Sequence, residues 1–188
     1  VERTLRGTVT FLAGGPGSTP TVAAGSAIPI SVGPLDRLVV PETGLGKAAF
    51  AGATVELDGG GAAVQQVVTG AEGISSTACA STGSDRWYFA DGTTQQYSSL
   101  YLTLVDPYSA DAIVDLSFTT EQGPEAPADF QGIVVSAGSV VGVDLGTHLR
   151  QRARVATTVS ARAGRIIAFQ TQVIPPVTAG QLPAGAAA

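Results

Sequence analysis

Apolar and polar positions alternate with a period of two along much of this chain, as they do in strands that bury one face. The cleanest run is Ala112 to Thr120, with Val114, Leu116 and Phe118 on one side and Asp115, Ser117 and Thr119 on the other. Such a run predicts an antiparallel sheet with one wet face. Leu100, Leu102 and Leu104 alternate in the same way with Tyr101, Thr103 and Val105, and Asp106-Pro107 ends that strand in a turn. A polar, Pro-containing loop is predicted over Glu121 to Gln131. Short strands follow at Ile133 to Val135 and Val140 to Leu145, and then a pair, Val155 to Ala161 and Ile166 to Val173, joined by Arg162-Ala163-Gly164-Arg165.

The first half carries the same period in shorter pieces. Residues 8 to 12, TVTFL, read as a strand, and so does Thr21 to Gly33, where Ile28, Ile30 and Val32 point one way. Pro29 has no N–H for a ladder, which makes this an edge strand or a strand start. Leu38 to Pro41 reads as a short strand, and the loop after it carries one helical turn around Lys47 to Phe50. Ala53 to Val68 is predicted to be a hairpin around Asp58-Gly59-Gly60-Gly61. The Gly-, Ser-, Thr- and Ala-rich stretch from Thr69 to Arg86 marks a domain boundary, and the tail from Pro175 has the composition of a linker or disordered segment.

An internal repeat organises these pieces. Thr21 to Gly33, TVAAGSAIPISVG, aligns without a gap on Val134 to Gly146, VVSAGSVVGVDLG, and the flanking strands agree in order and type. The expected fold is therefore all-β: two tandem immunoglobulin-like antiparallel β-sandwiches related by internal duplication. The first copy spans residues 1–78 and the second 79–174, with 175–188 as linker or disordered tail. The first copy has no counterpart of the Trp87 segment and the Leu100 strand. It is either truncated, which the cost of an open sheet edge favours, or closed by the linker or tail.

Composition narrows the function classes. Charged residues are 13% of the 188, Lys47 is the single lysine, and the net charge of −5 offers no general attraction to nucleic acid or to an anionic membrane. No run of about 18 or more apolar residues occurs, so no helical transmembrane segment is predicted. Cys79 is alone, which excludes an intrachain disulfide and a cysteine-rich zinc site. It is read as a small semi-buried apolar side chain or as a thiol paired with a cysteine outside this sequence. The opening Val1-Glu2-Arg3 suggests an excised ectodomain with its signal or anchor upstream.

Two groups of side chains are candidates for ligand binding. Trp87, Tyr88, Tyr97, Tyr101 and Tyr108 lie in the segment holding seven of the eleven aromatics. They form either a sugar-stacking platform or the plugs of a sandwich end and its loops. Arg150, Arg152 and Arg154, with His148 in line, share one face if their segment is extended. Such a row would bind a phosphate- or uronate-bearing polymer, or simply block pairing at a strand edge. Asp106, Asp111 and Asp115 match no calcium-loop spacing, and Asp106 reads as a turn former. His148, the only histidine, stands in no hydrolase motif, and Glu56, Glu121 and Glu125 have no spacing that makes them a catalytic pair. No catalytic, metal or cofactor residue is assigned, and the expectation is a protein that is not an enzyme.

WYFADGTT, LTLVDP, AIVDLSF and VVSAGSVVGVDL resemble, in that order, a repeat of secreted and surface proteins of Actinobacteria and Chloroflexi. The layout as a whole resembles an actinobacterial extracytoplasmic family of unknown function, typically encoded near a cell-envelope glycosyltransferase gene. Asp106 departs from the Asn usual in the repeat, and the closing strand lacks the usual Arg and Trp. The resemblance implies an extracytoplasmic location, secreted or anchored through a segment outside this sequence. It also implies a non-catalytic role as a cell-envelope scaffold or interaction module, with an envelope protein or a cell-wall glycan as partner. The alternative it implies is a carbohydrate-binding accessory to an envelope glycosyltransferase.

Overall fold

Leu100, Leu102 and Leu104 have no solvent exposure, and neither do Val114 and Leu116, so the two strongest alternating runs of the sequence face each other across the main core. Each such side chain contributes roughly 1.5–3 kcal/mol of burial energy. This computed structural model describes residues 3–16, 23–24, 27–46, 48–70 and 73–174. Among them there is no α-helix, only two 3₁₀ turns at Ala128–Phe130 and Leu145–Thr147. The expected tail, part of the first V-x-A-G-S and Lys47 of the expected helical turn lie outside the described residues.

Two sheets enclose the core. One is mixed and seven-stranded: β1 (Leu5–Pro16), β2 (Ala23–Ala24), β3 (Ile28–Val32), β4 (Phe50–Leu57), β8 (Ser99–Val105), β12 (Val140–Asp144) and β14 (Ile167–Val173). β5 (Gln65–Gly70) and β6 (Gly73–Ala78) form a separate two-stranded antiparallel sheet. The remaining strands, β7 (Arg86–Phe89), β9 (Ala112–Thr120), β10 (Gly123–Glu125), β11 (Ile133–Val135) and β13 (Val155–Ala163), make a five-stranded antiparallel sheet. Its centre is β9, which pairs with β13 on one edge and with β10 and β11 on the other. Side chains of β8, β12 and β14 meet those of β9 and β13 in one apolar cluster, closed at the turn end by Phe130, Leu145 and Leu149.

Two tandem sandwiches are not what these sheets form. β12, from the expected second copy, pairs antiparallel with β8 and also parallel with β1 from the expected first copy, at Gly14–Val140, Gly15–Val141 and Pro16–Gly142. Four consecutive residues of β12, Val140 to Val143, are consequently buried on both faces. The repeat shows why sequence similarity misled: β3, which aligns with β12, pairs only with β1 and stays at an edge, as Pro29 requires.

Three local expectations also change. β4 does not turn back on β5; its ladder with β1 runs from Gly7–Leu57 to Gly14–Phe50 and leaves β5 to pair with β6 inside the expected linker. A long neighbouring strand outcompetes a short hairpin with few cross-strand partners. β13 and β14 do not pair as a closing hairpin either: Gly164, at φ 75°, lets the chain pass from one sheet to the other. Leu38 to Pro41 is irregular, with Leu38 and Val39 exposed.

On the outer face of the seven-stranded sheet, Phe50 lies flat against Gly142, where a Cβ would sit 2.0 Å from the ring. Leu12, Val105 and Val140 form a second small core there, with Phe50, Ile167 and Phe169 against it. Gly142→Ala should therefore destabilise the protein by about 1–3 kcal/mol in chemical denaturation. In the Phe50→Ala background the same change should cost distinctly less. Equal costs in both backgrounds would show that the ring is not what the glycine accommodates.

Candidate functional site

Two loops meet at one end of the core. The first, Gly92 to Ser98, links β7 to β8; the second, Asp144 to Arg154, links β12 to β13. They are joined by backbone and threonine hydrogen bonds. The Val155 N–H donates to the Gly92 carbonyl at 2.8 Å, the Thr94 N–H to Arg152 at 3.0 Å and the Gln151 N–H to Thr94 at 3.1 Å. The Thr93 hydroxyl donates to the Arg152 carbonyl, and the buried Thr94 hydroxyl donates to the Leu149 carbonyl while accepting from the Arg152 N–H at 3.0 Å. Leu145 and Leu149 are fully buried below, so the second loop cannot lift away without opening the core. The GTT of the WYFADGTT motif thus serves as a clamp between loops.

Both loops contain a non-glycine residue in the left-handed region, Tyr97 at φ 67° and Gln151 at φ 54°. Ser98 holds the first turn through its N–H and hydroxyl to the Gln95 carbonyl. Asp144 holds the second, accepting from the Gly146 N–H at 2.9 Å, and its backbone carbonyl takes the Thr147 hydroxyl at 2.8 Å. Between the loops runs an open groove of about 750 Å³, whose lining includes Gln96, Ser99, Asp144, Thr147, Arg150 and Gln151. Asp144 and Thr147 also border a smaller cleft of about 310 Å³ with Ile133, Val143 and His148 on its walls. His148 packs edge-on against Phe130, ring centroids 4.5 Å apart, with Nδ1 3.6 Å from Asp129.

The arginine row does not form. The 3₁₀ turn and the left-handed Gln151 break the extended segment that a shared face requires. Arg150 lines the groove, whereas Arg152 turns inward to Glu125 at 3.0 Å, and Arg154 is exposed. Glu121 accepts the N–H groups of Ala153 and Arg154, each at 3.1 Å. Hydrogen bonds from its own backbone N–H and from these two hold its carboxyl below the usual range. Glu121 and Glu125 therefore anchor the second loop to the β9–β10 turn.

The five aromatics are dispersed as well. Trp87 faces the core and donates from Nε1 to the Ile166 carbonyl at 2.9 Å, while Tyr88, its neighbour on β7, is exposed on the other side. Tyr101 is half-buried on the outer face of the large sheet, edge-on to Phe50 at 5.9 Å. Tyr97 is exposed in the first loop, and the Tyr108 hydroxyl accepts the Gly83 N–H at 2.9 Å. The aspartates separate too. Asp111 accepts the Ala137 N–H, and Asp115 pairs with Arg162, which together with the Gly132 N–H outweighs the effect of burial and lowers its carboxyl. Cys79 is exposed, with its N–H on the Val64 carbonyl.

Asp106 is fully buried, with one carboxyl oxygen accepting the Tyr108 N–H at 2.8 Å and the other without a partner. Burial raises its carboxyl above the ordinary value, against the pull of the Tyr108 and Ala112 N–H groups, and Asp111 adds to the rise. A carboxyl raised on folding holds its proton longer in the folded state, so stability falls as pH climbs from the unfolded value of 3.8 towards the raised one. Asp106→Asn should therefore melt higher than the parent at neutral pH, with the gap closing below about pH 4. A pH-independent difference would contradict this. Thr94→Val, which removes the two hydroxyl bonds that Thr94 gives the clamp, should cost about 1–3 kcal/mol in urea denaturation.

Comparison with known proteins adds a family and one structural likeness. Residues 42–185 match a family described as "Family of unknown function (DUF5719)". No curated protein matches the sequence. Among solved structures the Anabaena sensory rhodopsin transducer is similar, at 18% identity and a TM-score of 0.41, over 50% of this chain and 100% of that one.

Proposed function

The chain belongs to a family of unknown function, DUF5719, and from that premise we propose that it is a non-catalytic extracytoplasmic interaction module of the cell envelope, engaging a protein partner by strand addition. The observation that carries this reading is the β5–β6 ribbon. Both strands are exposed along their whole length, and they form a sheet of their own. Val67, Val68 and Ile74 are 51%, 55% and 79% exposed.

An isolated two-strand ribbon is marginal in water, and an unprotected edge is a template for another strand. Edges that must stay unpaired usually carry lysine, proline or inward charge. The described residues of this ribbon, Gln65 to Gly70 and Gly73 to Ala78, include none of these. Main-chain bonds to an added strand would supply affinity, and the exposed valines and isoleucine would supply selectivity. The two layers built from residues 84 to 173, with β8, β12 and β14 packed against β7, β9 and β13, are immunoglobulin-like.

A photo-crosslinking residue placed at position 74 in the envelope-located protein should give one discrete protein adduct. Adding Val68→Lys should reduce that adduct by at least about tenfold without lowering the melting temperature, as loss of a central contact does. An adduct that is absent, or that Val68→Lys leaves unchanged, would remove the ribbon as the docking element.

A further inference from the structure

We propose that the groove between the Gly92–Ser98 and Asp144–Arg154 loops binds a neutral oligosaccharide. This goes beyond the ribbon-mediated role and uses different residues. The groove is open, with a volume of about 750 Å³, and suits an elongated ligand rather than an enclosed one.

Its lining mixes donors and acceptors rather than presenting one sign of charge. The side-chain amides of Gln96 and Gln151 make no hydrogen bond among the described residues, and Arg150 makes one long bond, Nε to the Thr147 carbonyl at 3.4 Å. Asp144 uses one carboxyl oxygen on the Gly146 N–H. A sugar hydroxyl both donates and accepts, so it is matched by amides, a hydroxyl such as that of Ser99, a guanidinium and a carboxylate. The single arginine and single aspartate balance, which disfavours a uronate or phosphate as the main ligand.

The walls are preorganised. The Thr93 and Thr94 bonds hold the two loops together, and left-handed backbone at Tyr97 and Gln151 sets the course of each wall. Strained backbone of this kind persists where its surroundings over-determine it, and it clusters at ligand sites. Asp144 and Thr147 are shared with the adjoining cleft, whose walls include Ile133 and Val143. A ligand longer than one ring would place hydroxyls along the polar groove and a C–H face against this apolar continuation.

The test is an NMR titration of the ¹⁵N-labelled chain with chitotriose, cellotriose and trigalacturonate, each to about 10 mM, a ceiling that still detects millimolar binding. At least one neutral trisaccharide should shift the amides of residues 94–99 and 144–151. Arg150→Ala and Gln151→Gly should each weaken that binding about tenfold at unchanged melting temperature, glycine being suited to the positive φ. The proposal is overturned if neither neutral sugar shifts these amides, if the shifts fall elsewhere, or if both variants bind like the parent. A response to trigalacturonate alone would also overturn it, because the groove would then be an anion site at Arg150.

Discussion

β12 is hydrogen-bonded on both edges, antiparallel to β8 and parallel to β1, and the rest of the structure depends on that double pairing. A strand buried on both faces and paired on both sides has no exposed backbone to satisfy with water, so its neighbours must be continuous with it. β8 carries β14 beyond it, and β1 carries β2, β3 and β4, which is how seven strands from distant parts of the chain share one sheet. Gly142 is the point at which a side chain of the β1–β4 layer, Phe50, can lie directly on β12. Valine-rich β12 is thus the internal wall of two apolar clusters, one on each side.

The loop end of the core inherits its rigidity from this arrangement. β12 runs into the 3₁₀ turn at Leu145–Thr147, Leu145 and Leu149 are buried there, and Thr93 and Thr94 tie the segment after the turn, at Leu149 and Arg152, to the loop before β8. On the other side Glu121 and Glu125 hold the same segment to the β9–β10 turn. The polar groove is therefore framed by loops with little freedom to rearrange, whereas the β5–β6 ribbon forms a sheet of its own that is exposed and uncharged over its described residues. A preformed polar groove suits a small polar ligand with little ordering cost, and a free ribbon suits an extended partner strand.

Charge is placed for structure at several positions. Arg152 is neutralised by Glu125, and Arg162 by Asp115. Asp106 is a buried carboxyl with one oxygen unpartnered. An amide there would keep the acceptor for the Tyr108 N–H and carry no charge to desolvate.

What the sequence determined by itself is the all-β class and the faces of the strongest strands. β8, β9 and β13 declare their buried sides through alternation, and Pro29 declares an edge, because period and missing N–H groups are local properties. Membership of a family of unknown function was expected from a resemblance and is shown by the match over residues 42–185. Pairing was not legible. β4 carries the pattern of a hairpin with β5 but pairs with β1, and β3 and β12 share a pattern while pairing differently, because a strand's partner is set by which edge is free in space. The candidate site was readable only in part. Arg150 was identified, but the row containing it assumed an extended chain that the 3₁₀ turn and Gln151 rule out. Thr94, Glu121, Glu125 and Gln151 act through contacts with residues some 30 to 60 positions away. Tertiary structure alone decides such contacts, because neither periodicity nor composition records which loops the core brings side by side.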